Sequence, residues 1–175
     1  VGIAVCEKQP QLSQDINLRG TQNVLAGGKP VVYASVLAGY NGHFQIDEKT
    51  PVDPQAAYYR HKVEAERLVL DMHGTVLRFG ALYGVNPTAM RDDLLVHSFC
   101  REAVRAGEVT VFQPDSMRPL TYLREAVRAI MFMVGPMRPG IFNVVSCNLR
   151  KYQIVDAIKD TYGCKVKAIE GKDDE

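Results

Sequence analysis

Apolar residues recur along the chain in two alternating rhythms: short continuous runs, and stripes at intervals of three and four. Leu12 to Ala26 carries the helical rhythm and is stopped by Gly27, Gly28 and Pro30. Val31-Val-Tyr-Ala-Ser35 follows as a short apolar run rich in β-formers, which predicts a buried strand. Thr75-Val-Leu-Arg-Phe79, set between Gly74 and Gly80, reads the same way, as does Ile141-Phe-Asn-Val-Val145. Strands apolar on both faces need helices to cover them. Tyr58 to Met72 supplies one, with Tyr58, Lys62, Ala65, Val69 and Met72 on a single stripe. Leu94 to Ala106 and Leu120 to Val134 supply two more, closed by Gly107 and by Gly135-Pro136. Lys151 to Tyr162, stopped by Gly163, is the last, and Gly171 to Glu175 is a solvated tail. Strands alternating with helices predict an α/β fold with a largely parallel sheet.

Composition narrows the class. Of 175 residues, 46% are hydrophobic and 23% charged, enough apolar material for one globular core. The 21 Lys and Arg against 20 Asp and Glu leave a formal charge of +1, so neither nucleic acid nor an anionic membrane surface is expected as a partner. No apolar run approaches the roughly 18 residues of a membrane span, and no signal-peptide pattern opens the chain, so the expected location is cytoplasmic. Cys6, Cys100, Cys147 and Cys164 form no C-x-x-C pair, and His43, His61, His73 and His97 stand near none of them in ligand spacing. No metal site is therefore expected, and the cysteines read as buried free thiols. The opening Val1-Gly-Ile-Ala-Val-Cys6, without methionine, reads as the interior of a longer protein.

The most informative chemical spacing is Tyr58-Tyr-Arg-His-Lys62 on the inward stripe of a predicted helix. Side chains at i and i+4 are neighbours on a helix, so the Lys62 ammonium can approach the Tyr58 phenol. A cation beside a phenol favours the phenolate, which can then exchange a proton with a substrate hydroxyl or carbonyl. Taken alone, the same spacing also describes a packed tyrosine and a snorkelling lysine.

Other segments bear on the choice. Tyr33-Ala-Ser35 ends a predicted strand and precedes Gly39-Tyr-Asn-Gly42; Val76 to Phe79 runs into Gly80-Ala-Leu-Tyr-Gly84; Asn17-Leu-Arg-Gly-Thr-Gln-Asn-Val-Leu25 stands upstream. In this order and spacing, from about Val5 to Tyr162, the chain resembles the extended short-chain dehydrogenase/reductase family, the NAD(P)-dependent epimerases, dehydratases and reductases acting mainly on nucleotide sugars. The resemblance implies a Rossmann-like, doubly wound parallel sheet, incomplete at the N-terminus, with a small C-terminal substrate-binding region. On that reading residues 1–84 are the remainder of the dinucleotide-binding domain with the catalytic helix. Residues 85–175 mainly bind substrate, with a strand near 141–145 returning to the sheet. The resemblance further implies that Tyr58 is the catalytic acid/base, that Lys62 tunes it and holds the nicotinamide ribose of NAD or NADP, and that Asn17, Phe79 and Gly80 lie beside the cofactor. Arg118, a guanidinium suited to bidentate phosphate contacts, and Tyr83 are implied to hold a nucleotide-sugar substrate. Relatives pair helices across a homodimer, for which the helix starting at Tyr58 is the candidate face.

Three departures qualify this. Val36 stands where the family keeps a catalytic Ser or Thr, so either Ser35, the candidate catalytic residue here, or another group substitutes, or catalysis is weakened. Ala81 replaces an Asn that touches substrate in many nucleotide-sugar enzymes. Neither G-x-x-G-x-x-G nor G-x-G-x-x-G occurs, so the pyrophosphate cradle at a helix N-terminus is missing from these residues. Val36-Leu-Ala38 supplies no acidic pair, which argues against a dehydratase. The expected function is a nucleotide-sugar epimerase or ketoreductase; the alternative is a degenerate, non-catalytic binding or regulatory subunit.

Overall fold

The computed structural model describes residues 3–40, 45–86, 88 and 91–171. Asn41, Gly42 and His43, and residues 172–175 of the tail, lie outside the described residues. In chain order the elements are α1 (Ile3–Lys8), α2 (Pro10–Ser13), a π-helical segment (Gln14–Arg19), α3 (Gly20–Leu25), β1 (Val32–Val36), a 3-10 turn (Leu37–Tyr40), α4 (Ala57–Asp71), β2 (Thr75–Phe79), β3 (Ala81–Tyr83), α5 (Leu95–Ala106), β4 (Glu108–Phe112), β5 (Met117–Tyr122), α6 (Leu123–Val134), β6 (Gly140–Val144), β7 (Cys147–Arg150), α7 (Lys151–Tyr162) and β8 (Lys165–Ile169). They fall into two compact units, Val1–Gly80 with Ala126–Val144, and Ala81–Glu125 with Val145–Glu175.

In the first unit a parallel sheet runs in the order β1-β2-β6, with Ala34 opposite Leu77 and Leu77 opposite Phe142. Parallel neighbours need a crossover, and α4 makes it between β1 and β2. The central strand β2 is buried along its whole length. Leu25 of α3, Val69 of α4 and Val76 of β2 form a buried cluster, with Val31, Tyr33, Leu68, Leu70 and Ile141 packed against it. The chain passes from α4 to β2 through Gly74, where a Cβ would lie 2.8 Å from the Val31 carbonyl oxygen and 2.9 Å from that of Val69. Backbone that close leaves no room for a side chain. The helix expected over Leu12 to Ala26 is observed as the run α2, π segment, α3, and Asn17 sits in the π segment. Such wide turns are uncommon and often mark functional positions.

In the second unit β3 runs parallel to β5 and β5 antiparallel to β7, while β4 and β8 form a separate parallel pair. Phe99 and Ala103 of α5 and Ile154, Val155 and Ile158 of α7 meet Val109, Val111, Leu120 and Cys164 in the core. Both helices end on left-handed glycines, Gly107 and Gly163, each at φ 66°. The helix expected from Leu120 begins instead at Leu123: Leu120, Thr121 and Tyr122 belong to β5, opposite Ala81, Leu82 and Tyr83 of β3. Among the described residues no helix is long and apolar enough to cross a membrane.

Candidate active site

The stripe of α4 that carries Tyr58 and Lys62 faces β1. Lys62 Nζ donates to the Ala34 carbonyl oxygen at 2.6 Å and lies 4.2 Å from the centroid of the Tyr33 ring. Burial lowers the Lys62 ammonium from 10.5 to about 8, with the Glu66 carboxylate pulling the other way. No carboxylate is within ion-pair distance of Lys62 among the described residues. The phenol of Tyr33 is raised well above the usual tyrosine range, chiefly by burial, and Tyr58 and Glu66 close by add to the rise. Tyr58 stacks at a tilt on Tyr59, with ring centroids 5.4 Å apart.

Beneath this surface runs a polar network inside the sheet. Arg78, the charged residue in the middle of β2, donates Nε to Glu66 Oε1 at 3.0 Å and Nη2 to Oε2 at 2.5 Å, and Nη1 to the Tyr40 hydroxyl at 2.6 Å. Tyr40 in turn donates to Asn143 Oδ1 at 3.1 Å. The Arg78 and Glu66 side chains are only 4% and 2% exposed. Burial works against the Arg78 charge, but the hydrogen bonds and attraction of Glu66 outweigh it and its pKa is raised. Ser35 belongs to this network: its hydroxyl donates to Glu66 Oε1 at 2.5 Å. Alternation along β1 turns Ser35 to the face opposite Ala34 and Val36. Ser35, the candidate substitute for the missing Ser or Thr, therefore shares the Tyr33 face of β1 and is buried with its hydroxyl donated to Glu66.

Asn17 Nδ2 donates to Ser13 Oγ at 3.4 Å and to Cys6 Sγ at 3.5 Å, and a 2.8 Å hydrogen bond joins Ser13 Oγ to His61 Nδ1. Asn17 is thus tied to α4 one residue before Lys62. At the end of β2 the Phe79 side chain is buried, and the Gly80 N–H donates to the Val144 carbonyl at 3.4 Å.

Tyr83 and Arg118 lie in the second unit. Tyr83 is opposite Tyr122, ring centroids 5.4 Å apart, and its hydroxyl is raised by burial and by Cys147 and Glu125 nearby. Arg118 lies on β5 opposite Leu149, half-buried and in no ion pair among the described residues. Leu82, Tyr83, Gly84, Asn86, Arg91, Leu94, His97 and Leu123 line a mostly apolar pocket of about 160 Å³.

Sequence reasoning singled out neither Glu66 nor Arg78, although both left a signal. Arg78 interrupts an otherwise apolar strand run and Glu66 is four residues after Lys62, so a buried charge and a helical partner were both legible. Glu7, Ser13 and His61 carry no such mark.

An NAD cofactor places two demands on a chain. Its nicotinamide ribose needs hydrogen-bond donors and acceptors, and Lys62, Tyr58 and the backbone at Gly80 fit that need. Its pyrophosphate needs a run of backbone N–H groups, and the 175 residues contain no glycine-rich turn of that spacing. The residues present fit the nicotinamide end.

Comparison with known proteins bears on the fold and the family. A 4-epimerase of N-acetyl-α-D-glucosaminyl-diphospho-ditrans,octacis-undecaprenol from Escherichia coli O157:H7 is 24% identical over 171 residues, covering 90% of this chain and 51% of that protein. UDP-glucose 4-epimerase of Thermus thermophilus, solved with NAD, superposes with a TM-score of 0.82 at 19% identity over 98% of this chain and 62% of its own. UDP-N-acetylglucosamine 4-epimerase of Methanobrevibacter ruminantium M1, solved with UDP-N-acetylmuramic acid, gives 0.86 at 15% identity over 100% of this chain and 62% of its own. The chain thus spans about half the length of its curated relative and under two thirds of the solved ones. The Rossmann-like α/β fold expected from the sequence is the fold of these neighbours. The family model described as the NAD dependent epimerase/dehydratase family matches residues 1–144, more than half of the sequence, and the chain belongs to that NAD-dependent family.

Proposed function

We propose that this chain carries the proton-transfer and substrate-holding part of an NAD(P)-dependent nucleotide-sugar epimerase or ketoreductase. The observation that carries the reading is Lys62: a half-buried ammonium, one helical turn from Tyr58, held by the Ala34 carbonyl and the Tyr33 ring rather than by a carboxylate. Desolvation makes that cation costly, so an anion formed beside it is favoured. Tyr58 is the group to which this reading gives that anion.

When bound, NAD supplies the acceptor or donor of a hydride. The chain supplies the proton chemistry. In oxidation Tyr58 takes the proton of the sugar hydroxyl onto its phenolate oxygen; in reduction it returns that proton to the carbonyl oxygen. Lys62 favours the anionic tyrosine and offers donors to the nicotinamide ribose. Arg118 and Tyr83 bind the nucleotide sugar, Arg118 by a planar guanidinium that matches phosphate oxygens. Phe79 and Gly80, at the C-terminal end of β2, border the nicotinamide, where open parallel sheets bind their ligands. Asn17 steadies this end of the site through Ser13. Two copies paired across α4 complete the reading.

A second reading has its own observation. Val36 offers no hydroxyl and Ser35 is committed to Glu66, which suits a binding or regulatory subunit without turnover. The two part in one screen. UDP- and dTDP-sugars are incubated with the protein and NAD or NADP at concentrations high enough to load a weak cofactor site, and products are read by NMR. An epimer or an alcohol–ketone pair supports the enzyme; binding of sugar nucleotide and cofactor without product from any of them supports the subunit.

A further inference from the structure

Helix α4 starts without a cap of its own. Its N-cap is Ala56, no side chain caps it locally, and its first turn holds no acidic residue. Exposed N–H groups at a helix start normally find a Ser, Thr, Asp or Asn beside them. Here the Ala57 N–H donates to Glu7 Oε1 at 2.8 Å, a carboxylate brought from α1, 50 positions earlier in sequence. The bond is charge-assisted and sets a negative charge at the positive end of the helix.

One turn further on, α4 is held again from the same stretch of chain. His61 Nδ1 meets Ser13 Oγ at 2.8 Å, and Ser13 is fully buried. Asn17 Nδ2 donates to the same Ser13 oxygen, so Ser13 links the Asn17 and His61 side chains. The two holding points are residues 57 and 61, each one position before a member of the Tyr58–Lys62 pair. Residues four apart lie one above the other on a helix, so the clamped stripe and the chemical stripe are adjacent and parallel. Two contacts along one stripe fix both the rotation of a helix about its axis and its position along it.

We propose that Glu7 and the Ser13–His61 pair are positioning residues: the segment Ile3–Arg19 is a clasp that sets the rotation of α4, and through it where Tyr58 and Lys62 point. The proposal rests on the assignment of those two residues as the proton-transfer pair. It goes beyond that assignment in naming what aims them, and Glu7 in particular acts as a helix cap supplied from a distant element.

A merely structural role would lower stability without moving the chemistry of Lys62, so the test reads Lys62 itself. The intact protein is labelled by trace acetic anhydride over a pH series, and acetylation of Lys62 and of exposed Lys159 is quantified by mass spectrometry in wild type, Glu7→Gln, Glu7→Ala and Ser13→Ala. Loosening the clasp lets the amine rotate toward water and toward its ordinary titration. The Lys62 midpoint is expected to rise by about half a pH unit or more in Glu7→Ala and in Ser13→Ala, roughly a threefold drop in free amine at neutral pH. Glu7→Gln, which keeps a carbonyl acceptor for the Ala57 N–H, is expected to keep most of the wild-type value, and Lys159 to stay put. Should Glu7→Ala fail to fold, Ser13→Ala, which removes a single oxygen, decides the matter. Wild-type Lys62 midpoints in both alanine variants overturn the proposal. Normal turnover in Tyr58→Phe would instead sink the catalytic assignment and leave the labelling result, and so the clasp, in place.

Discussion

Replacing Glu66 by Gln tests how the sheet carries its buried charge. Gln has nearly the same shape, and its amide oxygen can still accept from Ser35, but the Arg78 guanidinium loses the carboxylate that receives its Nε and Nη2. Both side chains are almost wholly out of water. Breaking one partner of such a pair leaves an uncompensated buried charge, which costs about 3–5 kcal/mol. Arg78→Met should cost a similar amount, because Glu66 is then the stranded charge. The double variant Glu66→Gln/Arg78→Met strands neither: Tyr40 keeps Asn143 as its acceptor and Ser35 keeps an amide oxygen. It should recover most of the loss, with a coupling energy of about 2 kcal/mol or more. Urea unfolding followed by circular dichroism gives the four stabilities of the cycle. Single variants within about 1 kcal/mol of wild type, or losses that simply add, would refute the reasoning.

Further expectations follow from particular contacts. Lys62 has a folded pKa of about 8, below its ordinary 10.5, so the folded state disfavours the proton that the unfolded chain still holds. Stability should therefore rise as pH increases from about 8 towards 10.5, and Lys62→Met should abolish that rise; a stability difference between the two proteins that does not change over this window contradicts it. Gly74→Ala puts a methyl group against the backbone oxygens of Val31 and Val69 and should cost about 1–3 kcal/mol in urea unfolding, where a neutral result would show that the turn relaxes freely. Calorimetric titration of the 175-residue chain should show no tight NAD or NADP binding, because the pyrophosphate meets no glycine-rich turn; micromolar affinity would show that the cofactor site lies elsewhere.

What the sequence could show depended on how local each determinant was. Helix ends written as Gly107 and Gly163 came out where the glycines stand, since a left-handed stop is a one-residue property. Strands β1, β2 and β6 were legible because parallel, doubly covered strands read as unbroken apolar runs. Strand β5 was not: Pro119 sits inside it, and proline argues against a strand even though here it pairs opposite Asn148. Its last residues, Leu120 to Tyr122, merged with the helical stripe of α6. Strand β7, Cys147-Asn-Leu-Arg150, has no β-branched residue to mark it. At the site, the Tyr58–Lys62 spacing was visible because i and i+4 contacts are local. The Ser35–Glu66 hydrogen bond was not legible, because strand alternation and a partner 31 positions away are settled only when β1 meets α4. The same holds for Glu7 at residue 57 and Ser13 at residue 61, whose partners no local pattern announces.

The central claim is that Tyr58 moves the substrate proton, and hydride transfer in Tyr58→Phe tests it most directly. With the nucleotide sugar identified by screening, the absorbance of reduced nicotinamide is followed in a single turnover for wild type and variant, and cofactor affinity is measured alongside. Loss of the phenolic oxygen should slow the step by about 10²–10⁴-fold while cofactor affinity stays within a few-fold. An unchanged rate would contradict the account.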